Sequence, residues 1–199
     1  ATWLIGKELK ISIIKRIALF VSIFANPMMI GAILKQGRLP SLMAVVLLLY
    51  LFYLCLYFKD RSFNWKAIFL PIVYAFLILT HQTETILATA FLAGLFLVKN
   101  KQEKIQLVIL MSLSILFSSF WLFHFLQATQ DTGFLQFGFS SWLTNFDSYL
   151  LNNLAGIFLS LALFIAFYFF YKENNEKNYF YFFLPALIFT FLYLTRLAL

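Results

Sequence analysis

The sequence predicts an all-α fold: a polytopic transmembrane helical bundle of about seven spans, including a short helical hairpin, plus an external interfacial segment. Three observations carry the prediction. The chain is 63% hydrophobic, 21% aromatic and only 12% charged, with a mean hydropathy of +0.88, whereas a soluble domain is nearer half apolar and a quarter charged. Its apolar residues fall into runs, and its length of 199 residues holds about seven spans of about 20 residues, the helix needed to cross a bilayer core of about 30 Å. The basic residues lie between the runs, where Lys and Arg set orientation. That placement turns the net charge of +7 away from nucleic acid and towards a lipid bilayer. The single cysteine, Cys55, sits inside an apolar run, so the sequence offers no disulfide framework and no thiolate metal site.

Residues 1–6 precede the cluster Lys7-Glu8-Leu9-Lys10, a layout unlike that of a signal peptide. They read as the tail of a span, and residues 1–199 as one transmembrane domain within a larger membrane protein. The first full span is expected over Ile11 to Leu34, bent near Asn26-Pro27 because proline removes a backbone donor. Lys35 to Pro40 form a loop. Pro40 and Ser41 suit the first turn of the second span, Leu42 to Phe58, and Lys59, Asp60, Arg61 and Lys66 make the next loop.

Two short apolar runs follow, Ala67 to Leu79 and Ile86 to Val98, separated by Thr80-His81-Gln82-Thr83-Glu84-Thr85. Each run falls short of a full crossing, so the pair is expected to form a helical hairpin with a polar tip. Lys99, Lys101, Glu103 and Lys104 close it, and a further span runs from Ile105 to Leu126. Residues 127–149 alternate aromatic and polar residues around Gly133 and Gly138, the pattern of a segment lying on the bilayer surface. The last spans are expected over Leu150 to Tyr171 and Tyr179 to Thr195, with Pro185 inside the second and Arg196 at its end.

With these boundaries the 15 basic residues divide 12 to three between the two sides. Lys35, Arg38 and Arg196 are alone on the poorer side. The richer side is then cytoplasmic in a plasma (cell) membrane. Were residues 67–98 one continuous helix, it would be about 48 Å long and the division would fall to nine against six. The hairpin is preferred, which puts His81 and Glu84 on the extracytoplasmic side.

That side collects Lys35, Arg38, His81, Gln82, Glu84, His124, Asp131, Asp147 and Arg196. Arg offers a planar fork to phosphate oxygens and Lys a point charge. An imidazole or carboxylate can take a proton from an acceptor hydroxyl. His81 and Glu84 are therefore the candidate catalytic pair, and Lys35, Arg38, Gln82 and Arg196 the candidate substrate-binding residues. Each has a structural counter-reading. His81 and Glu84, three residues apart, can pair with each other, and Thr83 can cap the following helix with Glu84 at its favourable end. Lys35 and Arg38 can snorkel to head groups, and Arg196 can simply end a span. His124, beside Trp121, suits an interfacial anchor, and Asp131 and Asp147 suit a solvated loop. A divalent cation at His81 and Glu84 would have only two protein ligands, too few to predict a metal site, so the cofactor stays open.

Three motifs then carry a resemblance. They are Asn26-Pro27 leading to Gly37-Arg38-Leu39-Pro40-Ser41, Leu77-Ile78-Leu79-Thr80-His81, and Ser119-Phe120-Trp121-Leu122, followed by Phe123-His124. Together they make residues 10–125 similar to the C-type (GT-C) membrane glycosyltransferases, closest to a branch labelled as 6-pyruvoyl-tetrahydropterin-synthase-related membrane proteins. The third motif departs from that branch, which often has Leu-Pro where this chain has Phe123-His124. The resemblance implies transfer of a sugar from a polyprenyl-phosphate-linked donor on the external face. Arg38, Lys35 and Arg196 would meet the phosphate, His81 and Glu84 would line the cavity, and residues 134–147 would cover it. It also implies that the family's principal acidic residue, carried in a first external loop, precedes Lys7 in a longer protein. Two other classes stay open. One is a transporter or lipid flippase built on the interrupted helices. The other is a non-catalytic membrane scaffold subunit whose outer polar residues bind other membrane subunits.

Overall fold

A computed structural model describes residues 1–24, 39–131, 146–174 and 177–194. Regular structure among the described residues is all helical. The chain forms two compact units, Ala1–Phe120 and Trp121–Leu199.

In the first unit α1 (Thr2–Glu8) and α2 (Ile13–Phe24) are joined by a tight turn, in which Lys10 adopts a left-handed φ of 54°. Gly6 makes the turn possible, because a Cβ there would stand 2.5 Å from Cγ of Arg16. Arg16 folds back across α1, its Nε donating to the Ile11 carbonyl at 2.9 Å and its guanidinium lying 5.2 Å from the Trp3 ring. The expected first span, Ile11 to Leu34, is thus helical from Ile13 to Phe24, and the expected bend at Asn26-Pro27 lies outside the described residues.

The centre of this unit is α3 (Leu39–Lys59), with Pro40 in its first turn as expected. It is apolar on every side, the pattern of a helix enclosed by other elements or by lipid. A 3₁₀ turn (Trp65–Ile68), α4 (Phe69–Thr80) and α5 (Gln82–Val98) follow, and α1, α4 and α5 all pack on α3. Leu70, Val73 and Leu77 of α4 are buried, as are Ala88, Leu92 and Leu95 of α5. Those spacings of three and four set one stripe of each helix against the core.

The predicted hairpin is present. Tyr74 Oη and Thr89 Oγ1 are 2.6 Å apart although 15 residues separate them. One straight helix would hold those residues about 22 Å apart. At the opposite end, Lys99 Nζ donates to the Arg61 carbonyl at 2.6 Å and to Glu103 Oε1 at 3.1 Å, and lies 4.9 Å from the Phe63 ring. Arg61 in turn meets Glu8 at 3.0 Å. The basic clusters after α1, after α3 and after α5 therefore share one end of the unit.

The helix α6 (Lys101–Asp131) is longer than the expected span of Ile105 to Leu126. Residues 127–131 of the expected interfacial segment continue that helix, residues 146–149 open α7 (Phe146–Asn174), and the part between lies outside the described residues. In the second unit α7 packs against α8 (Lys177–Leu194) through rings whose numbers run in opposite directions. Phe170 faces Tyr179, Phe167 faces Phe183 and Phe164 faces Phe191. The two helices are antiparallel, and Pro185 lies inside α8 as expected.

Among the described residues, two helical stretches are long and apolar enough to cross a membrane, Leu42–Lys59 and Lys101–His124. The other apolar stretches, Trp65–Thr80, Glu84–Val98, Ile157–Lys172 and Asn178–Leu192, are shorter. Two helices of spanning length thus stand where about seven spans are expected. The hairpin accounts for part of the difference, because its arms end where the chain reverses.

The Lys99 ammonium, with only 4% of its side chain exposed, bears on stability. Lys99→Met leaves the Arg61 carbonyl and the Glu103 carboxylate short of a donor, and should cost about 2–3 kcal/mol, measured by denaturant titration of the purified chain in detergent micelles. Lys101→Met, exposed nearby, should change stability by less than about 0.5 kcal/mol.

Candidate functional site

The tip of the hairpin is a single residue. His81 is extended (φ −161°, ψ 129°) and serves at once as the end of α4 and the start of α5. Its N–H donates to the Leu77 carbonyl at 3.0 Å, and its own carbonyl accepts from the Thr85 N–H at 3.2 Å and from Thr85 Oγ1 at 2.7 Å. The backbone at the reversal is thus satisfied from both helices, as apolar surroundings require. Thr80 closes α4 by donating its hydroxyl to the Phe76 carbonyl at 2.9 Å. The expectation that Thr83 caps the second helix is corrected: α5 begins at Gln82 with His81 in the cap position. The reversal needs an extended residue just before the helix, and His81 supplies it.

Glu84 falls in the first turn of α5, where the helix dipole favours a carboxylate. Its Oε2 is in ion-pair contact with Nδ1 of His81. Both atoms are shut away from solvent, and neither has a further hydrogen-bond partner. The imidazole side chain as a whole is 36% exposed and that of Glu84 18%. A carboxylate against Nδ1 holds the neutral ring in its Nδ1–H tautomer. The lone pair then sits on Nε2. The arrangement is an oriented imidazole able to accept a proton.

The register of the packing fixes where the tip stands. Phe52 of α3 and Phe91 of α5 meet with ring centroids 4.5 Å apart, each seven residues back from its helix end at Lys59 and Val98. Counting on, the tip lies level with about Leu42, near the start of α3, and about 26 Å from the basic end. The first arm, Trp65–Thr80, reaches about 26 Å because its 3₁₀ turn rises more per residue. Below the tip, Ile72, Ala75, Phe76 and Leu79 of α4 and Phe117 of α6 line an apolar cavity of about 230 Å³. One residue, Thr80, separates its upper wall, Leu79, from His81.

Of the residues singled out in the sequence, the structure brings together His81 and Glu84. Gln82 is the first residue of α5. Lys35, Arg38 and Arg196 lie outside the described residues. His124 is exposed on α6, with the Phe123 ring 6.0 Å away. Asp131 ends α6, and Asp147 is the second residue of α7. For a divalent cation, no group of three or more His, Cys, Asp or Glu stands together among the described residues. Two donors, one already facing the other, fall short of a metal centre. Sequence reasoning missed the cavity under the tip and the Tyr74–Thr89 bond. The near-equal spacing of those two residues from His81, seven before it and eight after, was the available signal for the bond.

The tautomer is measurable. In histidine-selective ¹⁵N spectra of the neutral ring, His81 should appear as the Nδ1–H form, and Glu84→Ala should shift it towards Nε2–H. An unchanged spectrum in Glu84→Ala would show that the carboxylate does not orient the ring. No protein-family model, curated protein or solved structure matches the chain.

Proposed function

We propose that the chain is the membrane-embedded part of a GT-C-like glycosyltransferase. It would move a sugar from a polyprenyl-phosphate-linked donor to an acceptor hydroxyl on the extracytoplasmic face of the plasma (cell) membrane. The observation that carries the proposal is the His81–Glu84 pair at a one-residue break, far from the basic loops and close in sequence to Leu79, which lines an apolar cavity. Ionisable pairs at membrane depth are functional by default. The gathering of basic loops at the other end supports a cytoplasmic position for that end and an extracytoplasmic one for the tip. On this proposal the bundle has about seven spans, with the hairpin entering and leaving from the cytoplasmic side.

The chemistry follows from the pair. Nε2 of His81 takes the proton of the acceptor hydroxyl while Glu84 holds the ring and stabilises its positive charge. The acceptor oxygen bonds to the anomeric carbon, the bond from that carbon to the phosphate oxygen breaks, and polyprenyl phosphate leaves with the electron pair. Lys35 and Arg38 meet the phosphate charge, Gln82, next in sequence to His81, contributes to substrate binding, and the polyprenyl tail runs in the groove between α4 and α6.

Sidedness is testable by labelling cysteine variants in intact cells in a Cys55→Ser background. A membrane-impermeant maleimide should label Thr83→Cys from outside and should reach Asn100→Cys only after permeabilisation. Labelling of both from one side would overturn the topology. For activity, the full natural protein in proteoliposomes with labelled polyprenyl-phosphate sugar should lose about 100-fold or more in transfer rate with His81→Ala, less with Glu84→Gln, and substantially with Arg38→Ala. Transfer that survives both His81→Ala and Arg38→Ala sinks the site. Substrate uptake or lipid scrambling without any donor favours a transporter or flippase. A co-purifying membrane subunit, with activity indifferent to His81→Gln and Glu84→Gln, favours a scaffold.

A further inference from the structure

We propose that the basic end of the first unit holds a binding site for an anionic phospholipid, in the cleft between α1, α3 and the 3₁₀ turn. The proposal rests on the membrane placement above, and concerns the end opposite His81. The cleft has a volume of about 230 Å³. Leu4, Tyr50, Tyr53, Leu54, Tyr57 and Lys66 are among the residues that line it, and the exposed Lys66 marks its mouth. From Tyr57 to Tyr50 it runs about 10 Å along α3, room for the upper part of an acyl chain beneath a head group.

Charge complementarity selects the occupant. Each of the three carboxylates at this end already faces a base: Asp60 meets Lys59 at 2.7 Å, Glu8 meets Arg61 at 3.0 Å and Glu103 meets Lys99 at 3.1 Å. Lys66 is different. Its ammonium is exposed and is held over the rings of Tyr57 (5.7 Å) and Trp65 (5.9 Å), with no carboxylate against it among the described residues. Arg61 also lies over the Tyr57 ring, at 4.1 Å, and donates a hydrogen bond of 3.2 Å to the Tyr57 carbonyl. The mouth therefore offers a positioned cation on an aromatic platform above an apolar-walled cleft. Basic pockets between spans on the cytoplasmic side have the chemistry to hold anionic head groups, and the aromatic rings belong at the same interfacial level. Zwitterionic lipid brings its own cation to the mouth and gains less.

The test uses the whole chain purified in neutral detergent and titrated with phosphatidylglycerol or phosphatidylcholine, with bound lipid counted by native mass spectrometry. Phosphatidylglycerol should bind at least fivefold more tightly, and Lys66→Gln should lose about fivefold of that affinity. Tyr53→Trp, which fills the cleft while keeping every charge, should displace the lipid equally. Lys101→Gln, which removes a base outside the cleft, should change nothing. Equal losses in Lys66→Gln and Lys101→Gln would reduce the effect to diffuse charge and overturn the site. Displacement of the bound lipid by inorganic phosphate alone at equal concentration would assign the mouth to a free anion and overturn the lipid. A chain that stays out of vesicles of either lipid would refute the membrane placement itself. One that inserts into both without preference would refute this site alone.

Discussion

Lys99 sits where the second arm of the hairpin leaves the core, and its ammonium is buried against a backbone carbonyl, a carboxylate and an aromatic ring. An ammonium withdrawn from water is costly unless its partners are well placed, so the contact admits few arrangements of the two loops. With the 59–66 and 99–104 loops held together, the chain between them must leave that end and return to it. The arms then have equal reach, about 26 Å each, and the reversal has to occur at the far end of α3. The position of His81 follows from a contact at the opposite end of the unit.

Much of this was legible in the sequence. Two apolar runs too short to cross a bilayer, divided by Thr80 to Thr85, pointed to a hairpin, and the distribution of Lys and Arg argued against one long helix. The pairing of His81 with Glu84 could be read from their spacing of three. The chain-reversing residue could not. Residue type favoured Thr83 as the cap, while the structure uses His81, since backbone conformation at a one-residue turn is settled by how both helices pack on α3. The turn at Lys10 was hidden because a left-handed φ usually announces itself through Gly or Asn. The end of α6 was missed because Gln127, Ala128 and Gln130 are polar or small yet favour helix. The cavity beneath the tip is lined by residues of two helices about 40 positions apart, and no local pattern encodes that pairing.

The two ends of the first unit are built on opposite principles. At the basic end, cations outnumber carboxylates and spread over Tyr57, Trp65, Phe63 and Phe96, an arrangement suited to a charged interface. At the tip, one imidazole and one carboxylate face each other. A matched pair leaves only the unpaired nitrogen to act, which favours a single directed proton transfer.

The hydroxyls of the apolar helices bear on how such a chain would be assembled. Thr80, Thr85, Thr89, Ser112, Ser118 and Thr190 each donate to the carbonyl four residues earlier in the chain, so these helices carry their hydroxyls already satisfied. Tyr74 is the exception within the hairpin. Because the Thr89 proton is committed to the Thr85 carbonyl, the tyrosine must be the donor to Thr89. Its partner lies on the other arm, and that bond exists only when α4 and α5 are folded together. During membrane insertion, the remaining helices could enter lipid one at a time, whereas α4 and α5 would enter most cheaply as a closed pair. The ribosome would then have to release about 34 residues, from Trp65 to Val98, before either arm is stable in the bilayer.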